Sequence, residues 1–164
     1  MRSELLTRCD ELLESAPPRA LSSQKRSIVF DTNILLDRWV FHDPAVNFID
    51  EMMSNGSWQS IGHRETLIEL MDVISRSQFN LNSEEQDFIL KRWMNEVTLI
   101  TMELSNQRYC RDQDDDKFFA LAVQTSPCVL ISKDKKVLKA RAKARKLGIT
   151  VLSIEQLKNH LYGQ

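Results

Sequence analysis

The sequence predicts an α/β fold in which helices sandwich a mainly parallel sheet. Short apolar runs typical of strands alternate along the chain with longer stretches of helical periodicity. Most of these runs lack polar residues at alternate positions, which indicates strands buried on both faces of a parallel sheet. The 164 residues, 42% hydrophobic and 27% charged, suffice for one domain with a proper core.

The first predicted element is an amphipathic helix over residues 3–15, which Pro17 and Pro18 end. Its apolar face consists of Leu5, Leu6, Cys9, Leu12 and Leu13. This helix either packs on the surface of the domain or serves as an arm that binds a partner or a second copy. We therefore divide the chain into a helix and linker over residues 1–26 and a main domain over residues 27–164.

Two strands and two helices are predicted next. Residues 27–30 form an apolar strand, and an apolar stretch from Ile34 to Trp39 follows it. Asp43 and Pro44 look like the N-cap and first position of a helix that Gly56 ends. The other two elements are a strand over residues 58–61 and a helix over residues 63–76 with the apolar stripe Leu67, Leu70, Met71 and Ile74.

Capping boxes mark two helices in the rest of the chain. Ser83 with Gln86 begins a helix expected to bury Phe88, Ile89 and Trp93. Ser153 with Gln156 begins the terminal helix. The remaining elements are strands over residues 97–100, 128–131 and 149–152, a helix that follows Asp112–Asp116, and a basic helix from Lys135 to Leu147 that ends at Gly148.

Acidic residues recur where these strands end. Asp31 directly follows the first strand, Asp134 follows the strand that ends at Ile131, and Glu69 lies on the helix after the second strand. A further cluster, Asp112, Asp114, Asp115 and Asp116, begins a helix. Because the carboxyl ends of parallel strands and the helix N-termini that follow them share one edge, these acids can converge there.

Each acid also has a purely structural explanation. The Asp112–Asp116 cluster would cap a helix and complement its dipole, and Asp134 would cap the next helix. Glu69 would lie on a solvated helix face. Asp31 is harder to explain in this way, because its apolar neighbours should bury it.

The convergence of several carboxylates predicts a bound cation. Two carboxylates about 4 Å apart repel by roughly 4 kcal/mol at an effective dielectric constant near 20. Oxygen ligands suit Mg²⁺ or Mn²⁺, whereas the isolated histidines and the three scattered cysteines offer no zinc site. A metal ion held by carboxylates typically serves phosphate chemistry.

Basic residues follow Asp134 directly. The net charge of −1 does not indicate nucleic-acid binding, so the local distribution of charge must decide. The candidate phosphate contacts are Lys133, Lys135, Lys136 and Lys139, and the alternative is a solvated helix face.

Four strings in order resemble PIN-domain ribonucleases, most closely the subfamily described as toxin components of toxin–antitoxin pairs. These strings are Val29–Leu35, Leu67–Phe79 without residues 71–72, Cys110–Ala122 and Leu130–Asp134. The resemblance spans residues 28 to about 157. It implies a three-layer α/β/α sandwich and Mg²⁺- or Mn²⁺-dependent cleavage of single-stranded RNA, with RNA and an antitoxin protein as candidate partners. A second copy of the chain is a further candidate partner, through the N-terminal helix.

The resemblance also implies roles for individual residues. Asp31, Glu69 and Asp134 match the metal-binding, catalytic acids, and the third acid of the pattern falls at Asp115 or Asp116. Asp112 matches a further acid of the subfamily. The small polar residues that orient the site are matched by Thr32, Asn33 and Ser132. The sequence departs from the pattern at Gln113, where proline is common, and at Lys133, where glycine is common.

Two other functions remain open at this point. One is a catalytically weak module that binds RNA or a protein partner on the same fold. The other is a phosphoryl-transfer protein with Asp31 as phosphoacceptor, although Asp31-Thr32-Asn33 lacks the paired aspartates of the common phosphatase motif. The scattered cysteines and the lack of a long apolar run lead us to expect a cytoplasmic protein without a membrane segment.

Overall fold

Five parallel strands form the central sheet of the computed structural model, which describes residues 2–163. The strands are β1 (Arg26–Phe30), β2 (Trp58–His63), β3 (Val97–Ile100), β4 (Cys128–Ile131) and β5 (Ile149–Leu152). Their order in the sheet is β3-β2-β1-β4-β5, so β1 lies at the centre and pairs with both β2 and β4. The chain therefore changes direction across the sheet at β1, and the predicted parallel sheet is confirmed.

Helices cover both faces of this sheet. They are α1 (Arg2–Glu14), α2 (Thr32–Trp39), α3 (Phe48–Ser54), α4 (Arg64–Ile74), α5 (Ser83–Glu96), α6 (Asp116–Gln124), α7 (Lys135–Lys139), α8 (Arg141–Arg145) and α9 (Ile154–Tyr162). Three short 3₁₀ turns, Pro44–Val46, Ser77–Phe79 and Gln113–Asp115, connect some of them. Within residues 2–163, no helix combines the length and the apolarity needed to cross a membrane.

Two apolar clusters define the layers. One contains Ile28 and Phe30 of β1 together with buried side chains of α2 to α5 and α9. The other contains Val29 of β1 together with buried side chains of α6, α7 and α8. Because successive residues of a strand point to opposite faces, β1 contributes to both clusters, and the three-layer α/β/α arrangement is confirmed.

Four local predictions were wrong. The helix expected to begin at Pro44 and end at Gly56 is divided at Asn47 into the 3₁₀ turn Pro44–Val46 and α3. Asn82, rather than Ser83, caps α5, since its side chain accepts a hydrogen bond of 2.8 Å from the backbone N–H of Glu85. Phe88 was expected to be buried but is 63% exposed, because it lies on the outer face of α5. The basic helix predicted over residues 135–147 is divided at Ala140 into α7 and α8.

The N-terminal helix α1 packs on the domain. Cys9 is fully buried within the first apolar cluster, and Leu5, Leu12 and Leu13 pack against that cluster. Asp10 of α1 forms an ion pair of 2.9 Å with Arg64 at the start of α4, and Arg8 pairs with Asp87 of α5. This is the arrangement expected of a helix packed on the domain surface.

Candidate metal centre

The acids of the candidate site come from the segments that follow four different strands. Asp31 follows β1 and caps α2, and Asp134 follows β4 and caps α7. Glu69 lies on α4, which follows β2. Asp115 is the last residue of the 3₁₀ turn before α6, and Asp112 caps this turn. The carboxyl edge of the sheet at β1 therefore carries the acids, at the place where the chain changes direction across the sheet.

Asp31 is the most buried of these acids, with 4% of its surface exposed. Its carboxylate accepts a hydrogen bond of 3.1 Å from the backbone N–H of Ile34 and another from the hydroxyl of Ser132. Burial raises its pKa to about 6, although both hydrogen bonds act in the opposite direction. The nearby charges of Glu69 and Asp134 also raise this pKa.

The fully buried Ser132 connects two of the acids. Its hydroxyl donates to Asp31 Oδ2 and accepts a hydrogen bond of 3.1 Å from the backbone N–H of Asp134. Ser132, which directly follows β4, thus orients the side chain of Asp31 and the backbone at Asp134. This position agrees with the orienting role that the resemblance implies.

Asp112, Asp115 and Asp134 form the tightest group. One carboxylate oxygen of each lies within 4.8 Å of the corresponding oxygens of the other two. Asp112 and Asp134 also accept backbone hydrogen bonds, from Asp114 (3.0 Å) and Lys136 (2.8 Å) respectively. These two acids cap local turns as the sequence predicts, and they face a common point as well.

Asp115 differs from these two neighbours in hydrogen bonding. Its Oδ2 atom is buried and has no hydrogen-bond partner among the described residues. Burial, followed by the negative charges of Asp134 and Asp112, raises the pKa of Asp115 to about 7. A buried carboxylate oxygen without a donor, among other carboxylates, is stabilised by a cation, so the group fits a divalent ion.

Glu69 is held by two side chains. Its Oε1 atom accepts a hydrogen bond of 2.7 Å from Lys117 Nζ, and its Oε2 atom accepts one from the hydroxyl of Thr32. Thr32 is buried at the first position of α2, next to Asp31. The sequence predicts Thr32 as a supporting residue but does not indicate Lys117.

Asp116 contacts the loop that precedes the 3₁₀ turn. Its Oδ1 atom accepts hydrogen bonds from the backbone N–H groups of Tyr109 (2.9 Å) and Cys110 (3.0 Å). Its Oδ2 atom lies 2.9 Å from Arg108 Nε in an ion pair. Asp116 therefore anchors the loop before the 3₁₀ turn, whereas Asp115 faces the other acids.

The predicted RNA-binding lysines occupy different environments. Lys133 Nζ forms an ion pair of 2.9 Å with Asp37, and Lys136 Nζ lies 3.8 Å from Asp112 Oδ2. Lys135 and Lys139 are exposed on α7. Among the supporting residues, Asn33 is exposed on the first turn of α2. The basic residues thus border the acidic group, and two of them are already paired with acids.

Two residues at this site escaped the sequence analysis. Lys117 follows the run of acids and is the second residue of α6. In the sequence, this region indicates the start of a helix and assigns no role to the lysine. Arg108 lies in a segment without periodicity, between β3 and the 3₁₀ turn. For either residue, the only available signal is an isolated positive charge next to Asp112–Asp116.

Comparison with known proteins shows the family. A family model described as PIN domain matches residues 27–136, which is more than half of the chain. The chain belongs to the PIN domain family. PIN domains are generally nucleases that use divalent metal ions, and in this PIN domain three acids lie close enough to share one. No curated protein sequence matches the chain.

A solved structure supports the fold assignment. The PIN domain described here is similar to a chain in the crystal structure of VapBC2 from Rickettsia felis bound to a DNA fragment from their promoter. The TM-score is 0.58 at 14% sequence identity, and the match covers 77% of this chain and 98% of that chain. At this identity the similarity concerns the fold.

Proposed function

We propose that this PIN domain is a metal-dependent endoribonuclease that hydrolyses phosphodiester bonds of single-stranded RNA. The observation that carries the proposal is the convergence of Asp112, Asp115 and Asp134 within 4.8 Å, with one buried oxygen of Asp115 left without a donor. A group of this kind is costly without a cation, and Mg²⁺ or Mn²⁺ is the cation that oxygen ligands favour.

The ligands that we propose for Mg²⁺ or Mn²⁺ are Asp31, Glu69, Asp112, Asp115 and Asp134. Asp115 is preferred over Asp116 as the third acid, because a carboxylate oxygen of Asp115 lies within 4.8 Å of those of Asp112 and Asp134, whereas Asp116 contacts two backbone N–H groups and Arg108. A divalent ion at such a site supplies charge that stabilises the phosphate oxygens and favours ionisation of a water molecule. Ser132 and Thr32 orient Asp31 and Glu69 through their hydroxyl groups.

RNA would approach along the basic border of the acidic group. We propose that Lys135, Lys136 and Lys139 contact backbone phosphates, because α7 directly follows its cap Asp134 and places these side chains next to the acids. Lys133 also lies at this border, where Asp37 holds its ammonium group. Such contacts recognise the backbone and not the bases, so sequence preference must come from elsewhere.

The same proposal includes a biological role as the toxin of a toxin–antitoxin pair in the cytoplasm. It rests on the resemblance to that subfamily and on the structural similarity to a VapBC2 complex. The proposed partners are an antitoxin protein and another copy of the chain. Measurement of the oligomeric state in solution tests the second of these. Fold similarity supports the chemistry more strongly than this role.

Three variants test the proposal. Asp31→Asn and Asp115→Asn should each fold, lose Mn²⁺ binding, and reduce Mn²⁺-dependent cleavage of single-stranded RNA by more than about 100-fold. Asp116→Asn is the matched control, since its side-chain oxygen can still accept the two backbone hydrogen bonds. It should retain Mn²⁺ binding measured by calorimetry and most of the cleavage measured on gels.

The outcomes separate the alternatives. Full cleavage by Asp31→Asn would refute the assignment of this site. Binding of RNA by the wild-type chain without Mn²⁺-stimulated cleavage of varied RNAs would instead support a module that binds RNA or a protein partner. In cells, the toxin role requires that the wild-type chain arrests growth and that Asp31→Asn does not.

A further inference from the structure

Lys117 is the positive side chain closest to a proposed metal ligand. Its ammonium lies 2.7 Å from Glu69 Oε1, while the Thr32 hydroxyl occupies Glu69 Oε2. Both oxygens of Glu69 are therefore engaged by donors of this chain. Each oxygen retains a lone pair for a metal ion, but the ammonium repels a divalent cation at the same carboxylate, so the two cations compete for Glu69.

The two donors differ in how readily they can yield. Thr32 is buried, and its short side chain is fixed at the start of α2. Lys117 has a long flexible side chain that is 24% exposed, and the Glu69 side chain is 23% exposed. Because water reaches both partners, their ion pair contributes little net stability, and a divalent cation can replace the ammonium.

Charge balance explains why a cation of the protein lies there. Glu69, Asp31, Asp112, Asp115 and Asp134 face one region, and the charge of Glu69 is felt at both Asp31 and Asp115. Lys117 lies two residues after Asp115, at the start of α6, so it is attached to the same turn as the ligands. It neutralises one of the acids without the involvement of a second domain or a partner.

We propose that Lys117 is a built-in counter-cation of Glu69 that Mg²⁺ or Mn²⁺ must displace, and that it thereby sets the metal concentration at which the site fills. This inference rests on the proposed function, because it assumes that Glu69 is a metal ligand. Lys117 thus acts on metal binding through Glu69, and it opposes binding rather than supporting it.

The test is the affinity for Mn²⁺, measured by calorimetry on the full chain. Lys117→Met keeps the aliphatic stem and removes the charge, so the dissociation constant should fall roughly two- to five-fold, the range expected of a partly exposed ion pair. Lys117→Arg keeps the charge and should bind Mn²⁺ about as the wild type does. Lys91→Met removes an exposed charge from α5 and controls for the change in net charge.

The sign of the change decides between two roles. If Lys117 only holds Glu69 in the orientation that a metal ion requires, Lys117→Met will weaken Mn²⁺ binding, and the proposal is overturned. Equal affinity of Lys117→Met and wild type overturns it as well. In a Glu69→Gln background, the gain from Lys117→Met should become smaller, since the pair is then no longer between two charges.

Thermal unfolding provides a second readout. Without metal, Lys117→Met should be only slightly less stable than the wild type, because the ion pair that it loses is partly exposed. At saturating Mn²⁺ it should gain more stability than the wild type gains, since binding to the folded state is tighter. Failure of the wild type to bind Mn²⁺ would refute the proposed function itself, whereas normal wild-type binding with a weaker Lys117→Met variant would refute only the role of Lys117.

Discussion

Asp31 and Asp115 have raised pKa values for the same main reason, although their hydrogen bonding differs. Asp31 accepts two hydrogen bonds, and Asp115 Oδ2 has no donor among the described residues. In both cases burial is the largest cause of the shift, and the charges of neighbouring acids add to it. The hydrogen bonds to Asp31 therefore do not offset the cost of burying its charge.

The raised pKa values predict how the stability of the metal-free protein depends on pH. The pKa of Asp31 is about 6 in the folded chain and 3.8 in the unfolded chain, so the folded state binds the proton of Asp31 more tightly. The free energy of unfolding should therefore fall as the pH rises from about 4 to about 6, by on the order of 3 kcal/mol from Asp31. Asp115 extends the fall to a pH of about 7.

Urea denaturation in the presence of a chelator measures this dependence. Asp31→Asn cannot ionise, so its free energy of unfolding should change less between pH 4 and pH 6 than that of the wild type. The same variant should be at least as stable as the wild type at pH 7 without metal. Parallel pH profiles of the two proteins would contradict the raised pKa of Asp31.

The position of an acid after a buried strand is visible in the sequence, but its direction is not. Asp31 and Asp134 were predicted from strand ends, and the structure brings both to the same edge of the sheet. Asp115 and Asp116 are adjacent and chemically identical, so the sequence left the register open. The two residues differ in the structure because of the loop through Tyr109 and Cys110. The backbone N–H groups of this loop bind Asp116 and leave Asp115 next to the other acids.

At the scale of elements, α7 links the acidic group to the basic surface. Asp134 caps this helix, and Lys135 and Lys139 are exposed on it. The sequence predicts one helix from Lys135 to Leu147, whereas the structure divides it at Ala140. Periodicity could not reveal this break, because alanine has the highest helix propensity of all residues.

The exposed lysines of α7 should contribute to RNA affinity through charge. The double variant Lys135→Glu with Lys139→Glu should weaken the binding of single-stranded RNA and reduce the salt dependence of the binding constant by about one unit of slope or more. Titration of a labelled RNA at several salt concentrations measures both quantities. The double variant Lys91→Glu with Lys158→Glu, on α5 and α9, is the control for net charge, and equal losses in both proteins would refute a specific contribution of α7.

At the scale of the whole molecule, α1 lies outside the segment that the family model matches, yet it packs on the domain. The match begins at residue 27, whereas α1 covers Arg2–Glu14 and packs on α4. The amphipathic pattern predicted this helix, but left open whether its apolar face meets the domain or a partner. The full burial of Cys9 is what supports packing on the domain.

A pair of substitutions tests the packing of α1 in solution. Cys9→Asp places a carboxylate at a fully buried position and should lower the free energy of unfolding by about 2 kcal/mol or more. Thr7→Asp introduces the same charge at an exposed position of the same helix and should have little effect. Equally small effects of both substitutions in denaturant titrations would favour an arm that is detached from the domain.

Strand order was the part of the fold that the sequence did not contain. Alternating strands and helices indicate parallel neighbours, but they do not show that the chain returns to the other side of β1 after β3. The two edge strands are not clearly distinguished by composition: β3 and β5 are nearly as apolar as the inner strand β4 and differ from it in having exposed or half-buried positions. Burial depends on which helices cover each strand, and that is decided by the packing of the whole chain.

The position of β1 between two halves of the sheet has a consequence for the way in which the site is assembled. Residues up to Ile100 form β1 to β3 and contribute Asp31 and Glu69, whereas residues from Asp112 onward form β4 and β5 and contribute Asp112, Asp115 and Asp134. A chain cut in the loop between Ile100 and Asp112 would yield two fragments with incomplete sets of acids. Reassociation of such fragments would restore the complete set only when β4 is again paired with β1.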